Sequence, residues 1–405
     1  MEKRKSSRKE FVVNGALAIG GLMFSGLPVF SWGRLKNDSI GIGIIGCGAR
    51  GRGLAGILKT MKGVTLTAFC DILPENLQKA MELAPKGVKS FTDYRKLLED
   101  KRVDAVVIAT PLFLHAPMSI AALQAGKHVY EEKSLAYDIP QSMDLLRTVR
   151  NTDLVFQVGY QYRYDPKYKR VKEIIEQGWL GKITHIECQF NRNSDWRNPV
   201  KDPSMERVVN WRLYKEYCGG PLSELCAHQI DAIHFMFGGM NPVKVAGMGG
   251  VNYWKDGRDT YDNIRAIYEY PNDIKASIVS VLSNAYNGYF IRILGDKATV
   301  EIQRKQAFIY AESLNNKQGT VDGVTGATLL NKTQGEAVEL TSDEIKTKTR
   351  EPSFYSLEDF IDCIRNRRGT ISNAETAYQS SIAIHLGNMS AEEETFKYWN
   401  SSYNI

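Results

Sequence analysis

Between residues 40 and 158 short apolar runs alternate with stretches in which apolar residues return every three or four positions. Runs at 40–46, 64–70, 105–109, 128–131 and 154–158 predict strands, and the periodic stretches near 51–60, 74–83, 94–98, 116–125 and 139–150 predict helices. A repeating strand, helix, strand order gives an α/β domain: a doubly wound parallel sheet of the Rossmann type with helices on both faces. After residue 160 the pattern changes. Helices are predicted near 167–177 and over 221–237, a strand over 183–190, and an irregular polar stretch over 191–215. Six β-type runs then follow with no helix between them, at 243–249, 263–270, 275–282, 290–294, 298–303 and 307–310. Strands without crossovers imply an open, mainly antiparallel sheet, and so an α+β C-terminal domain closed by helices at 354–365 and 373–398. The free face of such a sheet is expected to pack on a second copy of the chain, giving a homo-oligomer. Residues 315–349 are polar and β-poor and are read as a long excursion.

The division is therefore 1–36, 37–160 and 161–405. The first segment holds seven basic residues against two acidic ones, which accounts for five of the formal +6 charges of the 405-residue chain. The remainder is nearly neutral and has no basic face for a nucleic acid, which excludes that partner class. A basic start followed by a glycine-diluted apolar stretch at 11–30 is an export pattern. Ser7-Arg8-Lys9-Glu10-Phe11 resembles a twin-arginine signal with lysine in the second position, so an exported, periplasmic protein is expected. The other reading is an uncleaved anchor, because about 20 apolar residues span a bilayer. A membrane is a partner only in that case. The six cysteines have no C-x-x-C spacing and suggest neither a zinc site nor a disulfide framework.

Candidate chemistry begins at Gly46-Cys47-Gly48-Ala49-Arg50-Gly51, a G-x-G-x-x-G loop between a predicted strand and a predicted helix. In that setting Gly46, Gly48 and Gly51 permit a tight turn, close approach of a pyrophosphate and tight helix packing, while the helix N-terminus with Arg50 faces the anion. Asp71, 20 residues beyond Gly51, ends the next strand, where a carboxylate accepts ribose hydroxyls and repels a 2′-phosphate; the cofactor is read as NAD. Thr110, Pro111 and His115 follow the next predicted strand, and Glu132 and Lys133 end the one after, both at the edge of the expected cofactor crevice. In the helix at 221–237, Glu224, His228 and Asp231 recur at i, i+4 and i+7, a polar stripe on an apolar helix. No further ligand stands at metal-binding spacing, so no metal is assigned.

In this combination the sequence resembles the Gfo/Idh/MocA family of sugar and cyclitol dehydrogenases, from about residue 40 to the C-terminus. The resemblance rests on the glycine loop, Thr110-Pro111, Glu132-Lys133 and the run Gly219-Gly220, Glu224, His228, Asp231. It implies that Lys133 is the active-site lysine and that His228 exchanges the substrate hydroxyl proton, with Glu224 and Asp231 orienting it. It also sets Gln161, Tyr162, Arg163 and Tyr164 near cofactor and substrate. Two positions depart from the pattern: Ser134 replaces a proline and Glu224 an aspartate. The stretches Trp196-Arg197 and Trp211-Arg212 resemble an exported branch of the family, and either line a sugar pocket or brace the fold. The implied activity is NAD-dependent oxidation of a secondary hydroxyl of a sugar, glycoside (at C3) or cyclitol. Two alternatives stay open: a redox-neutral glycosidase that oxidises C3 transiently, and a non-catalytic NAD-binding sensor.

Overall fold

Near-continuous apolar runs make strands that must be buried on both faces. The computed structural model describes residues 39–312 and 334–405, with short strands at β14 (Thr320–Val321) and β15 (Val324–Thr325) between them. The expected export signal or anchor at 1–36 lies outside the described residues. Strands β1 (Ile40–Ile45), β2 (Val64–Cys70), β3 (Lys89–Phe91), β4 (Ala105–Ile108), β5 (His128–Glu131) and β6 (Phe156–Val158) form one sheet in the order β3-β2-β1-β4-β5-β6. Every pairing in it is parallel. The crossover helices are α1 (Ala49–Leu58), α2 (Pro74–Leu83), α3 (Tyr94–Leu98), α4 (His115–Gln124) and α5 (Ile139–Arg150). Asp93 and Asp138 cap two of them through the amides of Arg95 and Gln141. The strand order reverses between β1 and β4, so a crevice opens at the carboxyl ends of those strands.

The second domain contains α6 (Pro166–Glu176), α7 (Ala227–Met236), and strands β7 (Ile183–Phe190), β8 (Lys244–Gly250), β9 (Asn263–Glu269), β10 (Lys275–Val281), β11 (Tyr289–Gly295), β12 (Ala298–Gln303), β13 (Ala307–Glu312), β16 (Gln334–Glu339) and β17 (Lys397–Tyr398). They make a nine-stranded sheet, β16-β13-β12-β11-β7-β10-β9-β8-β17. Alternate residues of β10 and β12 are buried, so one face of the sheet carries the core. The mainly antiparallel expectation holds with one exception: β7 enters the centre and runs parallel to β10. Part of the expected excursion at 315–349 is strand, because Gln334–Glu339 extends the sheet beside β13.

The chain closes with α8 (Pro352–Asn366) and α9 (Ala374–Glu393). The last helix is shorter than its periodicity suggests; Glu394 turns left-handed (φ 54°) and lets Lys397–Tyr398 pair with β8. α8 returns to the first domain, where Leu357, Phe360 and Ile361 join Ile42, Leu54 and Tyr130 in one apolar cluster. All six cysteines are buried free thiols, and burial pushes Cys47 and Cys70 up to about 12. Among the described residues no helix is long and apolar enough to cross a membrane.

Candidate active site

The glycine loop joins β1 to α1, and each of its glycines meets a different demand. Gly46 adopts φ +90°, and a Cβ there would lie 2.6 Å from the carbonyl oxygen of Ala109 on the neighbouring strand. A Cβ on Gly51 would stand 1.9 Å from the Gly46 oxygen, so only glycine lets α1 start this close to the turn. Around Gly48 a Cβ would meet nothing within 4 Å. That residue is also the N-cap of α1 and has no side chain to occupy the first amides of the helix. The result is an open cradle of N–H groups, suited to a pyrophosphate. Asp71 closes the turn by accepting from the Cys47 amide (2.7 Å) and the Leu73 amide (2.8 Å). Its carboxylate retains lone pairs for ribose hydroxyls. These residues fit a dinucleotide.

Beyond the loop, the ends of β4, β5 and β6 meet the second domain. Arg50 Nε donates to Glu132 at 2.7 Å and its Nη1 to Ser353 on α8 at 3.2 Å. Thr110 and Pro111 lead into a short turn, Leu112–Leu114, that starts α4. His115 does not face the crevice as expected. It is buried, and its ring nitrogens lie 2.8 Å from the Ser134 oxygen and 3.0 Å from the Thr110 oxygen. Burial lowers the ring, and a neutral imidazole has one N–H, so it donates to one of these two carbonyls and only packs against the other. Lys133 reaches across to the second domain and donates from Nζ to the backbone oxygen of Glu224 at 2.8 Å. Beside it, the Ser134 hydroxyl donates to the Ser223 oxygen at 2.9 Å. The Lys133–Ser134 peptide is cis.

Both acceptors lie in Leu222–Cys226, which winds as a π-turn before α7 begins. The regular spacing that put Glu224, His228 and Asp231 on one face is therefore altered. Among the described residues neither carboxylate hydrogen-bonds to His228, and the expected orienting role is corrected. Asp231 is held instead by a bidentate pair with Arg163 (2.8 and 2.7 Å) and by the Ser380 hydroxyl at 3.1 Å. Both partners are buried, so Arg163 is a support for the helix rather than a cofactor contact, and Asp231 rather than a catalytic group is its counter-ion. Burial pushes the Asp231 carboxyl up, against the pull of the guanidinium. Glu224 accepts from Arg212 Nε at 3.0 Å. Burial raises its carboxyl, but Lys133 and Arg212 outweigh that and hold it below the ordinary value.

His228 is half-buried, its ring 5.0 Å from that of Tyr162 and 6.4 Å from that of Tyr160. Tyr162 in turn stacks on Tyr168 at 5.0 Å. Burial, with the charges of Lys133, Arg50, Arg304 and Arg192, holds the imidazole well below its usual range, so it is neutral near pH 7. Of the two tryptophan-arginine stretches, Trp211 lies under Arg212 at 4.1 Å and reaches the site through Glu224. Arg197 does not come to the site: Glu206 and Asp256 take its guanidinium, and Trp196, with φ 60°, packs on the main core. That stretch is a brace.

Sequence reasoning missed Glu131, Tyr160, Arg192 and Arg304. Glu131 is fully buried, accepts from Ser119 at 2.5 Å, and has its carboxyl pushed far up by burial. Its place at the end of β5 was the available signal. Around the crevice, Arg50 Nη2, Thr110 Oγ1, Glu131 Oε1, Tyr160 Oη, Gln161 Oε1 and His228 Nδ1 are buried without a hydrogen-bond partner. Buried polar atoms are normally paired, and such a concentration at strand ends marks a ligand site. Among the described residues no three acidic, histidine or cysteine side chains gather to hold a metal ion.

Comparison with known proteins agrees with this geometry. The inositol 2-dehydrogenase/D-chiro-inositol 3-dehydrogenase of Lactiplantibacillus plantarum is 36% identical over 197 residues, 48% of this chain and 51% of that protein. The 2,7-anhydro-N-acetylneuraminate hydratase of Mediterraneibacter gnavus is 30% identical over 212 residues, 52% and 53% of the two chains. These matches span about half the length of the curated relatives. A levoglucosan dehydrogenase solved in complex with NADH shares the fold at TM-score 0.71 and 20% identity, covering 89% of this chain and 99% of that one. Residues 40–160 match the family model for the oxidoreductase family's NAD-binding Rossmann fold and residues 172–398 its C-terminal alpha/beta domain. The chain belongs to the Gfo/Idh/MocA oxidoreductase family, and its first domain is that family's NAD-binding domain.

Proposed function

We propose that the protein oxidises a secondary hydroxyl of a sugar, glycoside or cyclitol with NAD. The observation that carries this reading is the set of unpartnered buried polar atoms at the strand ends, closed on one side by Lys133 and His228. The names of the relatives, an inositol dehydrogenase and a levoglucosan dehydrogenase, support a carbohydrate substrate. Bound NAD would supply the hydride acceptor at C4 of its nicotinamide. Gly46, Gly48, Gly51 and the first amides of α1 would hold its pyrophosphate, and Asp71 its ribose.

His228 is a neutral imidazole, because burial first, and then the surrounding cations, oppose its protonation. A neutral ring keeps a lone pair that can accept a hydrogen bond from the reacting hydroxyl and pass its proton on, although the same surroundings oppose storing that proton as imidazolium. Lys133 is held over the crevice by the Glu224 carbonyl and places its ammonium where negative charge develops on the substrate oxygen. Replacing Lys133 with Met should leave NAD binding within about 3-fold and lower kcat by about 10³-fold or more. Fluorescence titration of NAD with a stopped assay on a sugar and cyclitol panel checks this; near-normal turnover in the variant removes Lys133 from the mechanism.

A second reading, a redox-neutral glycosidase that oxidises C3 transiently, is supported by relatives named a hydratase and a glycosyl hydrolase. Release of an aglycone without net nicotinamide absorbance change would select it. We further propose an exported protein that carries its NAD with it, on the strength of the basic and apolar N-terminal pattern; cell fractionation tests that. A homo-oligomer is supported by Met248 and Ile267, 79% and 53% exposed on neighbouring strands of the open sheet; sedimentation of the full chain tests it.

A further inference from the structure

Two arginines stand at the end of the large sheet that faces the crevice. Arg192 follows β7, and Arg304 lies in the turn between β12 and β13. Their guanidinium groups sit over the same ring, Phe190, at 5.2 and 4.7 Å, and Arg304 also lies 5.2 Å from the ring of Tyr289. That aromatic floor runs on to the site: Phe190 meets Tyr289 at 5.2 Å, Tyr289 meets Tyr162 at 5.7 Å, and Tyr162 meets His228 at 5.0 Å.

Three other arginines near the crevice have counter-ions. Arg50 is paired with Glu132, Arg212 with Glu224 and Arg163 with Asp231. Among the described residues, no carboxylate pairs with Arg192 or Arg304, and neither guanidinium donates a hydrogen bond. They are close enough to oppose each other: burial lowers the Arg192 guanidinium, and Arg304 and Arg212 lower it further. Both also act on His228. Both side chains are exposed, and what holds them side by side against their mutual repulsion is contact with the rings of Phe190 and Tyr289 rather than a carboxylate. Such a pair is suited to an anion, and the guanidinium fork matches a planar or tetrahedral oxyanion better than a lysine would. Bound NAD in its oxidised form would add one more positive charge to the crevice.

We infer that the substrate carries a fixed negative charge, a carboxylate or a sulfate ester on the sugar, gripped by Arg192 and Arg304 while its reacting hydroxyl lies at His228 and Lys133. This rests on the carbohydrate oxidoreductase reading for the reaction, but its binding part can be measured separately. The aromatic floor would take the apolar face of the sugar ring, and the two arginines would fix which end of the molecule enters first.

The test uses the full chain loaded with NAD. Calorimetry is run with D-glucuronate, D-galacturonate and glucose 6-sulfate against glucose and galactose, and each ligand is also assayed for reduction of the bound nicotinamide. At least one anionic sugar should bind about 30-fold or more tightly than its neutral parent, and that gap should shrink as salt is raised from low to high. Arg192→Met and Arg304→Met should each weaken the anionic ligand about 10-fold. Uronates and the sulfate ester distinguish the two oxyanions. If no anion outbinds its parent, or if the double variant weakens charged and neutral ligands equally, the inference falls. Arginine-dependent binding without nicotinamide reduction leaves the inference standing and overturns the oxidoreductase reading; oxidation of neutral sugars with the anions excluded does the reverse.

Discussion

At the scale of single residues, Asp231 shows how a polar stripe misleads. Its carboxylate lies one turn beyond His228 in the sequence, yet both of its oxygens are taken by Arg163, 68 residues earlier. Side-chain exposure is 4% for the arginine and 1% for the aspartate, so neither charge has water to fall back on. Removing one member of such a pair strands the other. Arg163→Met should therefore cost about 3–5 kcal/mol in urea denaturation, and the double change Arg163→Met with Asp231→Leu should recover most of that loss. A single variant within 1 kcal/mol of the parent would show that the pair is not the support described. The residues legible in the sequence were those whose role is local: Gly46, Gly48 and Gly51 in a loop, Lys133 at a strand end. Arg163, Arg192 and Arg304 gain their meaning from partners, or from their lack, across the fold, and no periodicity records that.

At the scale of elements, the β1-loop-α1 unit was readable because its three glycines answer three separate steric demands. Those demands can be told apart. Gly48→Ala adds a methyl to open space, so the protein without nucleotide should keep its stability within about 1 kcal/mol while NAD affinity falls about 10-fold or more. Gly51→Ala drives a methyl into the Gly46 carbonyl and should cost about 1–3 kcal/mol or more of stability as well as binding. Denaturation and NAD titration on both variants check this; normal NAD affinity in Gly48→Ala would remove the loop as the pyrophosphate cradle. Two other elements were not readable. The π-turn at Leu222–Cys226 follows an ordinary helical pattern in sequence, and the donors that two of its carbonyls meet, Lys133 and Ser134, come from the other domain. Insertion of β7 between β10 and β11 joins two sequence-adjacent meanders into one sheet. Alternation of burial is the same for a parallel neighbour as for an antiparallel one, so the register carried no hint.

At the scale of the whole molecule, the histidines couple the fold to pH. His128, His234 and His385 are buried, and burial lowers them to about 4, about 3 and about 4. Each makes its contacts as a neutral ring: His128 Nδ1 accepts from the Val155 amide at 2.8 Å, His234 lies between Ser380 and Tyr270, and His385 Nε2 donates to the Ala136 oxygen at 3.2 Å. Unfolding restores an ordinary pKa near 6.5. Below that pH the unfolded chain takes up protons that the folded one refuses, so stability is fully present above about 6.5 and is lost as pH falls toward 4. Glu131 works in the opposite sense, because burial keeps it protonated when folded while the unfolded chain ionises it. Setting Glu131 against one of these three histidines leaves about two protons taken up on unfolding by the four groups, or about 3 kcal/mol of stability lost per pH unit, and Asp231, also raised by burial, works against that loss. His115 and His228, also lowered by burial, add to the loss. Urea denaturation at pH 7, 6 and 5 should show this as a falling midpoint at constant slope. His385→Gln, which keeps a donor for the Ala136 carbonyl, should reduce the dependence by about 1.4 kcal/mol per pH unit. A midpoint that stays level from pH 7 to 5 would mean that these rings gain protons without leaving the fold.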